Sequence, residues 1–128
     1  MSGNLLDTSV LIGPEPSAEG LPASAAISVV TLGELHAGVL LARDEQLHAL
    51  RRRRLEAVRV AFAPIGVDEA VAERYGEVLA LARSRHRAAR ATDLLIIATA
   101  AATERTLYTC DAGQAELGRA AGVPVEVL

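Results

Sequence analysis

One segment, Leu94–Ala102 (LLIIATAAA), carries apolar or small side chains at nearly every position, so a helix formed by it has no polar face. A soluble protein can hold such a helix only where other elements cover it on every side. The rest of the chain must therefore supply layers around this helix. A chain of 128 residues has room for one such core but not for two, so we expect a single domain over residues 1–128.

Short apolar segments alternate with helical ones along the chain. Strands are predicted at Leu5–Asp7, Ala26–Val30, Val60–Val67, Thr106–Thr109 and Pro124–Leu128. Helices are predicted to begin at or near Thr31, Asp44, Asp68, Asp93 and Gln114. Residues 13–23, which contain three prolines, are predicted to form a loop. This alternation predicts an α/β fold, a three-layer α/β/α sandwich with a mainly parallel sheet of about five strands.

Four acidic residues are predicted to gather at one edge of this sheet. Asp7 ends the first predicted strand and Asp111 follows the fourth, and the carboxyl ends of parallel strands meet at one edge. Glu34 lies near the start of the helix after the second strand, and Asp93 begins the apolar helix. Carboxylates brought together repel one another unless they are protonated or bridged by cations. Oxygen ligands of this kind favour Mg²⁺ or Mn²⁺.

Each acid alone also has an ordinary structural explanation. The three aspartates could be helix N-caps, and Glu34 could complete a capping box with Thr31. At 100° per residue, however, Glu34 shares its helix face with the small residues Ala37 and Gly38. Small neighbours leave open space around a carboxylate, which capping does not need. The joint position of the acids therefore favours a functional site.

The basic residues and the single cysteine exclude several kinds of functional site. All 13 basic residues are arginine, which excludes mechanisms that need a lysine, such as P-loop nucleotide binding. The net charge of −3 argues against a nucleic-acid binder that relies on charge alone. Cys110 is the single cysteine, so an internal disulfide is excluded, and we expect a buried residue at a strand end. None of the three histidines lies in a motif.

The location of the protein is predicted from its apolar segments. No apolar run approaches the roughly 18 residues of a membrane span, and the first residues lack the charged region of a signal peptide. We therefore expect a cytoplasmic protein without membrane contact. Its hydrophobic fraction of 51% is high, so we expect a partner chain to cover part of the apolar surface.

Four segments resemble the acidic motifs of the PIN-domain nucleases, and in length and loop content the chain most resembles the VapC toxins of bacterial toxin–antitoxin pairs. The segments are LLDTS at 5–9, TLGEL at 31–35, TDLLIIATA at 92–100 and LYTCD at 107–111. They occur in order, at family-like spacing, across nearly the whole chain. The ordered set is therefore much more specific than any one motif. It implies a PIN-like nuclease domain over residues 1–128.

The resemblance implies an endoribonuclease that hydrolyses RNA phosphodiesters with metal-activated water. The residues implied to be catalytic and to hold the metal are Asp7, Glu34, Asp93 and Asp111, with Ser9 and Thr109 orienting the acids. A further Asp-Phe pair often follows the fourth acid in the family. Here Gln114-Ala115-Glu116 stands in that region, so a fifth ligand stays open, with Glu116 as a weak candidate.

Two groups of arginines are candidates for contact with phosphates. The Arg51–Arg54 run is either a solvated helix face or a contact for RNA or a partner protein. Arg87 and Arg90 belong to a basic connector that leads into Asp93, and we expect them to bind substrate phosphates. With three aromatic residues in the chain, base stacking is a poor candidate for the main source of recognition.

Resemblance to the VapC toxins also implies partners and leaves alternatives. It implies a homodimer and a cognate VapB-type antitoxin that blocks the acidic pocket, with operator DNA bound only through the antitoxin. One alternative is a catalytically silent PIN-like module that acts through protein contacts. Another is an aspartyl phosphotransfer domain, which the absence of lysine disfavours.

Overall fold

The structure, a computed structural model, describes residues 3–12, 22 and 24–128. The strands in these residues are β1 Asn4–Leu6, β2 Ala26–Ser28, β3 Ala63–Ile65, β4 Thr106–Thr109 and β5 Val125–Val127. They form one sheet in the order β3-β2-β1-β4-β5, with every neighbouring pair parallel. The predicted α/β fold with a five-stranded parallel sheet is therefore confirmed. Apart from Pro22, the predicted loop at 13–23 lies outside the described residues.

Helices connect the strands. They are α1 Thr8–Leu11, α2 Val29–Leu40, α3 Glu45–Ala61, α4 Glu69–Ser84, α5 Ala91–Ala102 and α6 Ala112–Ala120. None of the helices in the described part of the chain is long and apolar enough to span a membrane.

Successive strand residues alternate between two hydrophobic cores, one on each face of the sheet. Leu5 and Leu107 pack with residues of α4, α5 and α6, whereas Leu6 and Ile27 pack with residues of α2 and α3. This alternation follows from the pleat, which sends neighbouring side chains to opposite faces. The sheet is therefore covered on both sides, as a parallel sheet requires.

The apolar helix α5 is buried, as its sequence predicts. Residues 96–100 are all buried, and Ile96 and Ile97 are fully inaccessible. The helix packs against α4 and contributes to the core above β1 and β4. Because α5 is enclosed on nearly every side, its first turn has a fixed position relative to the sheet. That first turn contains Asp93.

Two helices begin earlier than the sequence pattern predicts. Ser28 ends β2 and caps α2, accepting a hydrogen bond from the Val30 backbone N–H at 3.0 Å. The predicted capping box from Thr31 to Glu34 is therefore wrong, and Val29 and Val30 are helical despite their β-branched side chains. Similarly, α5 begins at Ala91, so Asp93 lies inside its first turn and does not cap it.

The strand order reverses between β1 and β4. From β1 the sheet grows through β2 to β3 on one side, and from β4 to β5 on the other. In open parallel sheets, such a reversal opens a crevice at the carboxyl ends of the two central strands. Asp7 follows β1 and Asp111 lies two residues after β4, so both acids lie at this crevice.

Candidate active site

Asp7 is held in one orientation by two hydroxyl groups. Its Oδ2 accepts hydrogen bonds from Ser9 Oγ at 2.7 Å and from Thr109 Oγ1 at 2.8 Å. Asp7 is only 4% exposed and, although it precedes α1, makes no side-chain capping bond. A buried carboxylate is costly unless hydrogen bonds satisfy it, and these hydroxyls supply them. The N-cap interpretation of Asp7 is therefore wrong.

The Ser9 and Thr109 hydroxyls also fasten the end of β4 to β1. Their oxygens lie 3.1 Å apart, and each accepts a backbone N–H beyond β4. Cys110 N donates to Ser9 Oγ and Asp111 N donates to Thr109 Oγ1, both at 3.0 Å. The same two side chains thus position the Asp7 carboxylate and the turn that carries Asp111.

Glu34 reaches the crevice from α2 and is tied to the segment after β1. Thr8 Oγ1 donates to Glu34 Oε1 at 2.8 Å and lies 2.9 Å from Thr31 Oγ1. Thr31 is fully buried, so its hydroxyl fixes α2 against α1 and does not cap a helix. A Cβ added at Gly38 would meet nothing within 4 Å, in agreement with the open space predicted beside Glu34.

Asp93 faces a guanidinium group. Arg90 Nε and Nη2 donate to Asp93 Oδ2 and Oδ1 at 3.2 and 3.3 Å, a forked pair across the first turn of α5. The hydrogen bond to Asp93, the charge of Asp93 and the charges of Glu34 and Asp7 together raise the pKa of Arg90. The Arg90 guanidinium is therefore stabilised mainly by Asp93, and the charges of Glu34 and Asp7 add to the effect.

Asp111 is exposed, and it alone of the four acids caps a helix with its side chain. Its Oδ1 accepts the Gln114 backbone N–H at 3.0 Å at the start of α6. Gln114 itself is buried, and its Nε2 donates to the Asp93 carbonyl at 2.9 Å and approaches Asp7 Oδ1 at 3.4 Å. Gln114 thus connects three acid-bearing segments and has no negative charge of its own.

All four acids line one cleft of about 280 Å³, together with Thr8, Ser9, Ile12 and Arg90. The structure therefore brings together every acid that the sequence singled out. The donor set consists of oxygen atoms, which are the ligands that a hard divalent cation prefers. Among the described residues, no group of three acidic, histidine or cysteine side chains is close enough to hold one ion in this arrangement.

The remaining candidates lie beside this cleft. Arg87 lines a neighbouring cleft with Asp93 and Asp111, where its guanidinium donates to the Gly113 carbonyl at 2.7 Å. Glu116 is exposed and pairs with Arg87 at 3.2 Å, so it does not line the cleft of the four acids. Cys110 is exposed, contrary to the prediction, because Thr109 takes the buried position at the end of β4.

Sequence reasoning missed two residues of this site. Thr8 donates to Glu34, and Gln114 contacts Asp7 and the Asp93 carbonyl. Thr8 stands between two residues that the pattern did identify, and a hydroxyl there was a detectable signal. Gln114 occupies the region where the related motif often has an acid, but nothing in its local sequence indicates that its amide turns inward.

A family model matches most of the chain. The model describes the PIN domain and matches residues 5–120. This range includes all four acids and both hydroxyl residues that hold Asp7.

Individual proteins are similar over nearly the same length. Ribonuclease VapC4 of Mycobacterium tuberculosis is 38% identical over 113 residues, which cover 84% of this chain and 85% of that protein. The crystal structure of VapBC-5, a member of the VapBC family of toxin–antitoxin systems from the same organism, matches with a TM-score of 0.86 and 33% identity over both whole chains. FitAcB from Neisseria gonorrhoeae matches with a TM-score of 0.78 and 29% identity over 94% of each chain.

Proposed function

Since this chain belongs to the PIN-domain family and, within it, to the VapC ribonuclease toxins, we propose that it hydrolyses RNA phosphodiesters in the cleft of the four acids. One observation carries the proposal. Asp7, Glu34, Asp93 and Asp111 come from four separate segments and line the same cleft at the reversal of the strand order.

The four acids would supply the ligands of a divalent cation. Asp7 would contribute a carboxylate whose Oδ2 is already held by Ser9 and Thr109. Asp93 extends from a buried helix, and Thr8 steadies Glu34. When bound, Mg²⁺ or Mn²⁺ lowers the pKa of water and offsets the negative charge that develops on the phosphate.

Arg90 would exchange partners when substrate binds. Its side chain is 74% exposed, so its pair with Asp93 is solvated and contributes little to stability. The exposed guanidinium could turn from Asp93 to a phosphate oxygen of the RNA, for which its forked donors are well suited. Arg87, in the adjoining cleft, would bind a neighbouring phosphate.

The proposal is tested by incubating purified protein with structured RNA in Mn²⁺ or Mg²⁺. We expect cleavage by the wild type and a loss of at least about 100-fold in Asp7→Asn and Asp93→Asn, since each substitution removes a charged ligand of the ion. Glu126→Gln, a change of the same kind at an exposed acid on β5, is the matched control and should cleave normally. Equal cleavage by all four proteins would contradict the assignment of the site.

Partners follow from membership in the VapC group and are part of the proposal. We infer a homodimer, and a cognate VapB-type antitoxin that covers the acidic cleft and carries the contacts to operator DNA. Support comes from the exposed apolar residues of this chain, among them Leu40, Leu41 and Val60 at 67%, 76% and 90% exposure. The net charge of −3 supports leaving DNA contacts to the partner.

A further inference from the structure

The Arg51–Arg54 run is not a uniform basic face. Arg51 and Arg54, three residues apart on α3, line a cleft of about 290 Å³, together with Gly38 and Leu35 of α2. Arg52 and Arg53 are exposed and do not line it. Since positions i and i+3 lie on the same side of a helix, the two outer arginines form a pair that the inner two do not share.

This cleft has the features of a site for one nucleotide. Arg51 Nη1 donates to the Gly38 carbonyl at 2.7 Å, which holds the guanidinium at the cleft and leaves it further donors. Gly38 leaves open space, and Ile12 and Leu35 add apolar surface. Positive forked donors beside an apolar wall suit a phosphate that is joined to a ribose and a base.

The arginine cleft adjoins the acid cleft, because Glu34 and Ile12 line both. On the opposite side, Asp93 and Asp111 are shared between the acid cleft and the cleft of Arg87. Arginines therefore flank the acids on two sides, as an RNA strand cut at an internal bond requires, because it has phosphates on both sides of that bond.

We propose that the cleft of Arg51 and Arg54 binds the nucleotide next to the scissile phosphodiester, with its phosphate on the two guanidinium groups. This inference rests on the proposed ribonuclease function. Four acids repel a polyanion, so the strand needs positive contacts outside the reacting centre. Arg51 and Arg54 supply them on the α2–α3 side. An acidic segment of a partner protein is the competing occupant, and the experiment below separates the two.

The test compares two double substitutions on the same helix. Arg51→Gln/Arg54→Gln removes the cleft pair, and Arg52→Gln/Arg53→Gln removes the same charge outside the cleft. Both are made in the Asp93→Asn background and titrated with a fluorescein-labelled 12-nucleotide single-stranded RNA of mixed sequence. We expect the first to bind about tenfold more weakly and to flatten the slope of log K against log salt by about 0.7, which corresponds to one phosphate of a single strand. The control should change less than about twofold.

Two further measurements distinguish the loss of a contact with RNA from misfolding of the variant. Arg51→Lys/Arg54→Lys keeps both charges but not the forked donors, so it should restore part of the binding, which a misfolded cleft would not allow. Thermal melting checks the fold of every variant. With Asp93 intact, Arg51→Gln/Arg54→Gln should raise KM for RNA cleavage while kcat stays within about twofold, since the contact is made in both the ground and transition states.

The outcomes are distinguishable. Equal RNA affinity in the two double variants overturns the nucleotide site. Retained RNA affinity in Arg51→Gln/Arg54→Gln together with lost binding of an acidic peptide overturns it in favour of a protein partner. A wild type that binds RNA through these arginines but never cleaves it contradicts the proposed hydrolysis and supports the binding site.

Discussion

At the scale of single residues, the acids of the site differ in the hydrogen bonds that their carboxylate oxygens already accept. Asp7 Oδ2 accepts two hydroxyl hydrogen bonds, so rotation of this carboxylate would break both. Asp93 has no such anchor for its side chain beyond the exposed Arg90 pair. Asp7 is therefore the more firmly held of the two carboxylates, and Asp93 is the one that can turn when a cation binds.

Thr109→Val tests that rigidity because it removes the hydroxyl and keeps the shape of the side chain. Thr109 is fully buried, so we expect a loss of roughly 1.5 to 3 kcal/mol in stability, the usual range for a hydrogen bond to a charged group. We also expect Mn²⁺ to bind about tenfold more weakly, measured by calorimetry, since Asp7 and the turn to Asp111 lose a common anchor. Thr106→Val, the same change at the other end of β4, should leave Mn²⁺ affinity unchanged.

At the same scale, the sequence predicted the positions of some site residues correctly and failed to predict others. Asp7 and Asp111 could be placed because each closely follows an apolar strand, and parallel strands end at one edge. Burial of Cys110 was predicted wrongly, since β4 ends at Thr109 and Cys110, one residue beyond the strand, is exposed. Gln114 could not be found, because its partners lie 21 and 107 positions away in the chain.

At the scale of elements, helix starts set the positions of the acids. Ser28 begins α2 three residues before the predicted cap, which turns Thr31 into the core and Glu34 towards Thr8. The β-branched pair Val29-Val30 indicated a longer strand. In the structure, however, Ser28 caps a helix that already includes both valines. Local propensity could therefore predict that a strand and a helix meet here, and could not locate the junction to the residue.

Ser28→Ala should affect both stability and catalysis. Loss of an N-cap costs about 1 kcal/mol, which corresponds to a fall in Tm of roughly 4 °C for a domain of this size. Cleavage should fall as well, because Glu34 is carried by this helix. The control is Asp68→Ala, which removes the N-cap of α4. Asp68 accepts the Val71 N–H at 2.9 Å, and α4 carries no acid of the cleft. This control should lower Tm by a similar amount with cleavage unchanged in the remaining folded protein.

At the scale of the whole molecule, the acid cleft joins segments that are distant in the chain. A cation bound by Asp7, Glu34 and Asp93 would connect the end of β1 with α2 and α5. Its binding would therefore stabilise the folded state against unfolding. We expect Mn²⁺ at 100 times its Kd to stabilise the wild type by about 2.7 kcal/mol, seen as a rise in Tm. Asp93→Asn should lose most of this rise and Glu126→Gln should keep it. An equal rise in all three proteins would place the ion elsewhere.

The bond between Thr109 and Asp7 joins residues separated by 102 positions. A ribosome makes Asp7 102 residues before Thr109, so the two cannot meet until the whole segment between them has been synthesised. Until then, the first carboxylate lacks one of its two anchors and the strand that carries the fourth acid has not been made. The cleft of the four acids is thus completed only after that whole segment has been translated.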